Sequence, residues 1–331
     1  MNLAERITLM VNLGKYLMED GEELKLVKQK AYEKNKWFTE EFINYAFRNI
    51  STHYLEQEKL EKWVHHYHID DNIHPQKIGI VMAGNIPLVG FHDFLCVFIT
   101  GHHQMIKLSD KDEVLMTHLI EKLEQWNPKV KSVVKTAELL KDCDAYIATG
   151  SNNSARYFHL YFGKYPSIIR GNKTSVAILN GNETFGDLSC LADDVYIYFG
   201  LGCRNVTKIF VPVNYSFETL LNAFKKYDYF ADITKYRNNY DYNLALLIMN
   251  NKFYMTNDSI ILYENENIFS PASVLHYSFY ENEKSTLDDL LNNENVQCIV
   301  GAGQVSFGKS QEPGLFDYAD GVDTIQFLLT L

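Results

Sequence analysis

One cysteine of the chain stands where a thiol can work as a nucleophile. Cys203 lies in YFGLGCRNVTKIFVP (Tyr198 to Pro212), just after a glycine-rich turn and just before a strong β-branched run. A thiol on such a turn exposes its sulfur while backbone N–H groups point at whatever binds to it, and Gly200 and Gly202 relieve crowding by side chains. Position alone also fits a small buried residue where a strand begins. Asn85 stands in the turn GNIP (Gly84 to Pro87), after the first strand-like run. A side-chain amide at the carboxyl end of a strand can donate to an oxyanion, although Gly-Asn and Asn-x-Pro also form ordinary turns. Thr149, Gly150 and Ser151 mark a strand-to-helix junction that can hold a phosphate, without any GxGxxG or Walker A run. The remaining cysteines, Cys96, Cys143, Cys190 and Cys298, lie in apolar or helical text and read as inert. Five scattered cysteines with no CxxC pair define neither a disulfide framework nor a zinc knuckle. HHYH (His65 to His68) lacks metal-ligand spacing and reads instead as an edge strand, and His102 and His103 read as turn residues facing water.

The elements that must position these residues follow from periodicity. Up to about Tyr67 the pattern is helical, with Leu24, Val27 and Ala31, then Phe42, Ile43, Ala46 and Phe47, at three- and four-residue steps. From KIGIVMA (Lys77 to Ala83) onward, short β-branched runs alternate with helical ones: strands at Gln104 to Ser109, Lys131 to Val134, Asp144 to Gly150 and Thr174 to Leu179, helices near Glu113 to Trp126 and Ala137 to Lys141. Such alternation predicts an α/β fold with a mostly parallel sheet. A second alternation after Gly202 predicts a second α/β lobe with its own mostly parallel sheet, a boundary near Gly200 and a cleft between the lobes. The 331 residues, 46% apolar and 22% charged, are enough for one large core or two modest ones. The formal charge of −11 argues against nucleic acid as a partner. The longest apolar run, Ile86 to Thr100, is interrupted by His92 and Asp93 and is too short for a membrane span. With Glu5 and Arg6 at its start and no continuous apolar segment, the N-terminus lacks a secretory pattern, and the expected location is cytoplasmic.

Taken together, these segments resemble the aldehyde dehydrogenase superfamily, and within it the acyl-CoA reductases related to the fatty-aldehyde-supplying enzyme of bacterial luminescence. The resemblance spans roughly residues 77 to 331. GNIPL is similar to the family's asparagine loop, which implies an oxyanion-hole role for Asn85. IKLSD (Ile106 to Asp110) resembles the Lys-Pro-Ser-Glu segment that holds the adenosine ribose, and implies cofactor roles for Lys107 and Asp110, with Leu108 in place of the proline. Thr149, Gly150 and Ser151 resemble the turn near the cofactor phosphates. GLGCRNVTKIFV resembles the nucleophile segment, with Lys208 at its basic position. NIFSP (Asn267 to Pro271) resembles the segment near the nicotinamide ribose, keeping Phe269 and replacing the glutamate by Asn267. DYADGVDTIQFL near the end resembles the carboxyl-terminal signature of the luminescence-type reductases.

The resemblance implies an NAD(P)H-dependent, CoA-releasing reduction of an acyl-CoA thioester to a fatty aldehyde through an acyl-enzyme on Cys203. It implies NADPH as the cofactor, with NADH open, no metal, and a homo-oligomer. It also implies the domains: helices and a Rossmann-like cofactor domain over 1–199, a catalytic domain over 200–300, and a carboxyl-terminal segment, 301–331, returning to a lobe interface or subunit contact. Where the family's general-base glutamate stands, this chain has Ile169, which disfavours hydrolysis of a thioester intermediate and leaves acyl transfer to or from a thiol. His92 and His276 are candidates for the proton donor to the alkoxide. Two other readings stay open at this level: a reductase of an acyl phosphate or carrier-bound acyl group, and a non-reducing cysteine acyl carrier or transferase on the same scaffold.

Overall fold

Asn2 and Glu5 form a capping box at the start of α1 (Leu3–Glu19), and Thr39 caps α3 (Glu40–Asn49), which follows α2 (Glu22–Lys34). A single π-helical turn, Ile50–Tyr54, leads to α4 (Gln57–His66). These helices bury one apolar stripe each, and α1 packs against α3, α4, α5 (Phe91–Ile99) and α6 (Glu113–Trp126). The computed structural model describes residues 1–331 and divides into two units, Met1–Asn172 with Pro313–Leu331, and Lys173–Glu312. No helix is long and apolar enough to cross a membrane.

The first unit holds a five-stranded, wholly parallel sheet of β1 (Lys77–Val81), β2 (His103–Lys107), β3 (Val134–Thr136), β4 (Ala145–Thr149) and β5 (Ser167–Arg170), in the order β3-β2-β1-β4-β5. The short α7 (Val130–Val133) precedes β3, and α8 (Asn152–Phe162) joins β4 to β5. The chain runs outward from β1 to β3 and then returns to place β4 on the other side of β1. That reversal makes the gap between β1 and β4 the topological switch point, where open α/β sheets bind ligands beyond their strands' carboxyl ends.

The second unit is built on β6 (Thr174–Ile178), α9 (Phe185–Tyr196), β7 (Val206–Pro212), α10 (Glu218–Ala223), α11 (Thr234–Met249), β8 (Met255–Thr256), β9 (Ile261–Glu264), β10 (Val274–Tyr280), α12 (Glu283–Leu291) and β11 (Val296–Gly301). Its sheet has the order β11-β6-β7-β10-β9-β8, parallel except for β8 against β9. The carboxyl-terminal α13 (Thr324–Leu329) belongs to the first unit.

Several expectations need correction. The boundary near Gly200 moves to Asn172, because β6 pairs with β7 and β11 and not with the first sheet. Residues 301–312 stay with the second unit, while 313–331 return to the first. Leu315, Tyr318, Ile325 and Leu328 are buried in the core beside Trp63, Phe94 and Ile99. The expected strand Lys131 to Val134 is mostly α7, and the expected helix at Ala137 to Lys141 is irregular; short apolar runs do not separate the two periods. His65 and His66 end α4 instead of forming an edge strand. His102 is buried, accepting from the Gln76 N–H at 3.0 Å and bonding the Leu328 carbonyl at 3.1 Å, whereas His103 is exposed.

Candidate active site

Six of the eight site residues read from the sequence gather at the carboxyl edge of the first sheet. Asn85 is exposed on the loop after β1, and Thr149, Gly150 and Ser151 follow β4, so the switch point lies between the two sets. Lys107 ends β2 and is exposed, its carbonyl accepting the Met82 N–H at 3.0 Å, and Asp110 lies exposed in the next turn. Ser151 caps α8 by accepting from the Ser154 N–H at 3.2 Å. A Cβ on Gly150 would fall 2.9 Å from both Phe158 and Ser154, so the turn closes this tightly only with glycine. An exposed cation and a helix N-terminus supply donors for an anionic ligand, and the exposed carboxylate can accept from its hydroxyls.

The Asn85 loop is held from below. Leu88, at φ 56°, donates its N–H to Asp112 Oδ2 at 2.7 Å, and burial pushes the Asp112 carboxyl well up despite that bond. The other oxygen, Oδ1, is buried without a partner. A Cβ on Gly84 would meet Ser109 Oγ at 2.6 Å, so this loop and the one after β2 interlock. Ile169 lies in β5, opposite Ala148.

The other two residues, Cys203 and Phe269, lie toward the amino edge of the second sheet. Cys203 is half-buried in the loop that enters β7, and its carbonyl accepts from Ser175 Oγ at 3.1 Å. Ser175 Oγ lies 3.0 Å from Cys298 Sγ. The loop is clamped by Asn205, which is fully buried: its Oδ1 accepts the Gly202 N–H at 2.7 Å, while its Nδ2 donates to the carbonyls of Asp194 at 3.1 Å and Ile197 at 2.8 Å. Tyr198 and Phe199 both sit at φ 57°, ahead of Gly200 at 74°. Two buried aromatic residues in the left-handed region are strained, and strain of this kind collects at functional loops. Phe269 lies in the connection from β9 to β10, whose Ile268 carbonyl accepts from Thr207 Oγ1 on β7 at 2.5 Å.

The two histidines named as proton donors are otherwise engaged. His92 Nε2 bonds the Leu315 carbonyl at 3.2 Å, and its ring stacks on Tyr54 at 4.9 Å. His276 Nδ1 bonds the Asn267 carbonyl at 2.8 Å and its Nε2 meets Tyr263 Oη at 3.0 Å, while burial pulls its pKa down. Sequence reasoning passed over Asn205, Asp112, Ser175 and Thr207. Ser175 and Thr207 offer one signal, a hydroxyl bordering an apolar run, while Asp112 and Asn205 stand among polar neighbours and offer none. No group of three or more His, Cys, Asp or Glu comes together that could hold a metal ion.

Comparison with known proteins places the chain in a class. Residues 22–219 match the LuxC acyl-CoA reductase family, and the chain belongs to that family. No curated protein matches it. Among solved structures, P. syringae AldA indole-3-acetaldehyde dehydrogenase, determined with NAD+ and IAA, is similar at TM-score 0.61 and 13% identity, over 87% of this chain and 69% of that one. A Mycobacterium tuberculosis aldehyde dehydrogenase complexed with NAD+ aligns at TM-score 0.61 and 13% identity, over 87% and 70%. Glyceraldehyde-3-phosphate dehydrogenase GapN from Methanocaldococcus jannaschii, complexed with NADP, gives TM-score 0.61 and 14% identity over 90% and 75%. The fold is that of the aldehyde dehydrogenases.

Proposed function

We propose that the chain reduces an acyl-CoA thioester to an aldehyde through an acyl-enzyme on Cys203, drawing on a reduced nicotinamide cofactor, NADPH before NADH. The observation that carries this reading is Cys203 itself: a half-buried thiol on a clamped, strained loop, inside the residues that match the family. The neighbours of the same fold were solved with NAD+ or NADP.

Cys203, as thiolate, attacks the acyl carbonyl; its carbon–sulfur bond forms, the carbon–sulfur bond to CoA breaks, and CoA leaves as the thiolate with that bond's electron pair. The amide of Asn85 and the backbone N–H of Cys203 are assigned to the carbonyl oxygen while it carries negative charge. Lys107, Asp110 and the Thr149–Gly150–Ser151 turn are assigned to the dinucleotide, with Phe269 on its nicotinamide side. A reduced nicotinamide held by these residues would supply the hydride that the acyl carbon needs. Asn85 again steadies the resulting alkoxide, and its collapse releases the aldehyde and returns the Cys203 thiolate. Ile169 offers no carboxylate to activate water, which protects the acyl-enzyme from hydrolysis.

The test is loss of reduced-nicotinamide absorbance with NADPH, then NADH, across short to long acyl-CoAs, beside Cys203→Ala. Oxidation that needs both acyl-CoA and Cys203 is expected. A chain that binds dinucleotide yet oxidises none with any acyl-CoA moves the substrate to acyl phosphates or carrier-bound acyl groups. One that binds no dinucleotide ends the reductase reading.

A further inference from the structure

Parallel neighbours β9 and β10 are joined by residues 265–273 alone, with no helix, where such a crossover ordinarily takes about a dozen residues or more. Backbone laid across a sheet without a ladder leaves its carbonyls in need of donors. Here four consecutive carbonyls each take one from a different side chain of β7 or β10. Ser278 Oγ donates to Asn265 O at 3.4 Å, Lys208 Nζ to Glu266 O at 3.0 Å, His276 Nδ1 to Asn267 O at 2.8 Å and Thr207 Oγ1 to Ile268 O at 2.5 Å.

The donors are arranged by strand register. Lys208 pairs with His276, and His276 with Tyr263, so the three form one row across β7, β10 and β9. A carbonyl only accepts, which puts the imidazole proton on Nδ1 and leaves Nε2 to accept from the Tyr263 hydroxyl. Tyr263 Oη in turn accepts from Asn265 Nδ2 at 2.8 Å, closing the row back onto the connection. Lys208 is 1% exposed and His276 2%, and Thr207 and Ser278 are buried beside them, so each strand buries two polar side chains. Burying such groups is unfavourable unless each finds a partner, and these find theirs in a single run of backbone. On the outer side, Asn267 and Pro271 are exposed and Phe269 is half-buried, with the Asn267 Oδ1 turned inward to accept the Phe269 N–H at 3.0 Å.

We propose that Lys208, His276, Thr207 and Ser278 are positioning residues, which together set the 265–273 connection, and with it Phe269, in the place from which it meets the nicotinamide cofactor. The proposal rests on the reductase reading for the identity of that ligand; the carbonyl cradle itself does not.

The experiment has two arms. In the free chain, amide hydrogen exchange of 265–273 is followed by mass spectrometry for wild type, His276→Ala, Lys208→Met and His276→Asn, which keeps a donor near the Nδ1 position. Exchange in that segment is expected to rise about tenfold or more in the first two variants, with the rest of the second unit as protected as in wild type, and to return toward wild type in His276→Asn. In the second arm, NADPH affinity and KM are read with the alkylation rate of Cys203. His276→Ala and Lys208→Met are expected to raise the NADPH KM about tenfold, with alkylation changed less than about twofold. Unchanged exchange overturns the cradle. Raised exchange with an unchanged KM overturns its role toward the cofactor. Wild type that binds no NADPH removes the reductase reading itself, and this shows before any variant is made. If His276→Ala loses its fold, Thr207→Val removes a single donor and carries the same comparison.

Discussion

Arg170 donates to Asp93 across 2.6 Å in the interior of the first unit, and its second amino group reaches Thr324 Oγ1 at 3.0 Å. Three segments far apart in the chain are thereby tied together: the end of β5 beside Ile169, the first turn of α5 and the start of α13. Burial works against the Arg170 charge, yet the attraction and hydrogen bond to Asp93 outweigh it and hold the guanidinium charged. Breaking a buried pair from one side strands the other charge, at a cost of about 3–5 kcal/mol. Arg170→Met and Asp93→Leu should each lose that much in denaturant titrations, and the two together should recover most of it. A double variant as unstable as the sum of its parts would show that the two side chains act independently and that the pair does not hold α13 as a unit.

Asn205 does for the Cys203 loop what no glycine can. Its side chain satisfies the Gly202 N–H and the carbonyls of Asp194 and Ile197 at the end of α9. Asn205→Ala leaves these buried groups without partners, and each such group costs about 1–3 kcal/mol. Stability is expected to fall by roughly 3 kcal/mol, and turnover per folded molecule about tenfold or more, because Cys203 loses its fixed place. Denaturation and thiol alkylation measured on the same preparation separate the two effects. A lower midpoint with undiminished turnover would make Asn205 a purely structural clamp.

Asp194 makes stability depend on pH in an unusual direction. It is almost fully buried and accepts the N–H groups of Gly308 at 2.7 Å and Ser310 at 2.9 Å. Burial outweighs these bonds and raises its pKa from 3.8 to about 6. The folded chain therefore binds this proton more tightly than the unfolded one, so the contribution is full below about pH 4, is lost as pH rises through 6 and is flat above. The size is roughly 3 kcal/mol. Asp112 acts in the same sense, while the lowered carboxyls of Glu5, Glu23 and Asp187 act in the opposite one, so the contrast with Asp194→Asn is the informative quantity. Between pH 5 and pH 7 the lowered imidazoles of His102, His118 and His276 act in the opposite sense, so the urea midpoint at pH 5 minus that at pH 7 should be more positive in wild type than in Asp194→Asn, and an equal value would mean that the proton sits elsewhere.

The periodicity of KIGIVMA, of the run ending at Thr149 and of SVLHYSF was enough to read β1, β4 and β10, since a buried parallel strand is a continuous apolar run whatever surrounds it. The same property hid the boundary. Thr174 to Ile178 reads like any other strand, and nothing inside such a run says which sheet it joins. Types and order likewise pointed to Cys203 and Asn85, but the residues that hold them were illegible. Ser175 meets Cys203 across 28 positions and Cys298 across 123, and His102 meets Leu328 across 226. A polar residue in a loop or strand carries no mark of whether water or a distant carbonyl will satisfy it, which is why His102 read as a surface residue and His276 as a proton donor.

Asp112 offers the clearest separation of charge from shape. Its Oδ2 accepts the Leu88 N–H at 2.7 Å while Oδ1 lies buried without a partner, and burial favours the neutral acid. If the neutral form is what the fold uses, Asp112→Asn preserves both the acceptor and the volume, and should melt within about 1 kcal/mol of wild type. Asp112→Ala removes the acceptor, leaves a buried N–H at a left-handed residue and should cost about 1–3 kcal/mol. Because Leu88 closes the turn that presents Asn85, the alanine variant should also lose turnover toward the level of Asn85→Ala, for which removal of one oxyanion donor sets the scale at about 10²–10³. Thermal melts and single-turnover rates for the three variants decide it. An asparagine variant as impaired as the alanine one would mean that Asp112 is ionised and that its charge, not its acceptor, fixes the loop.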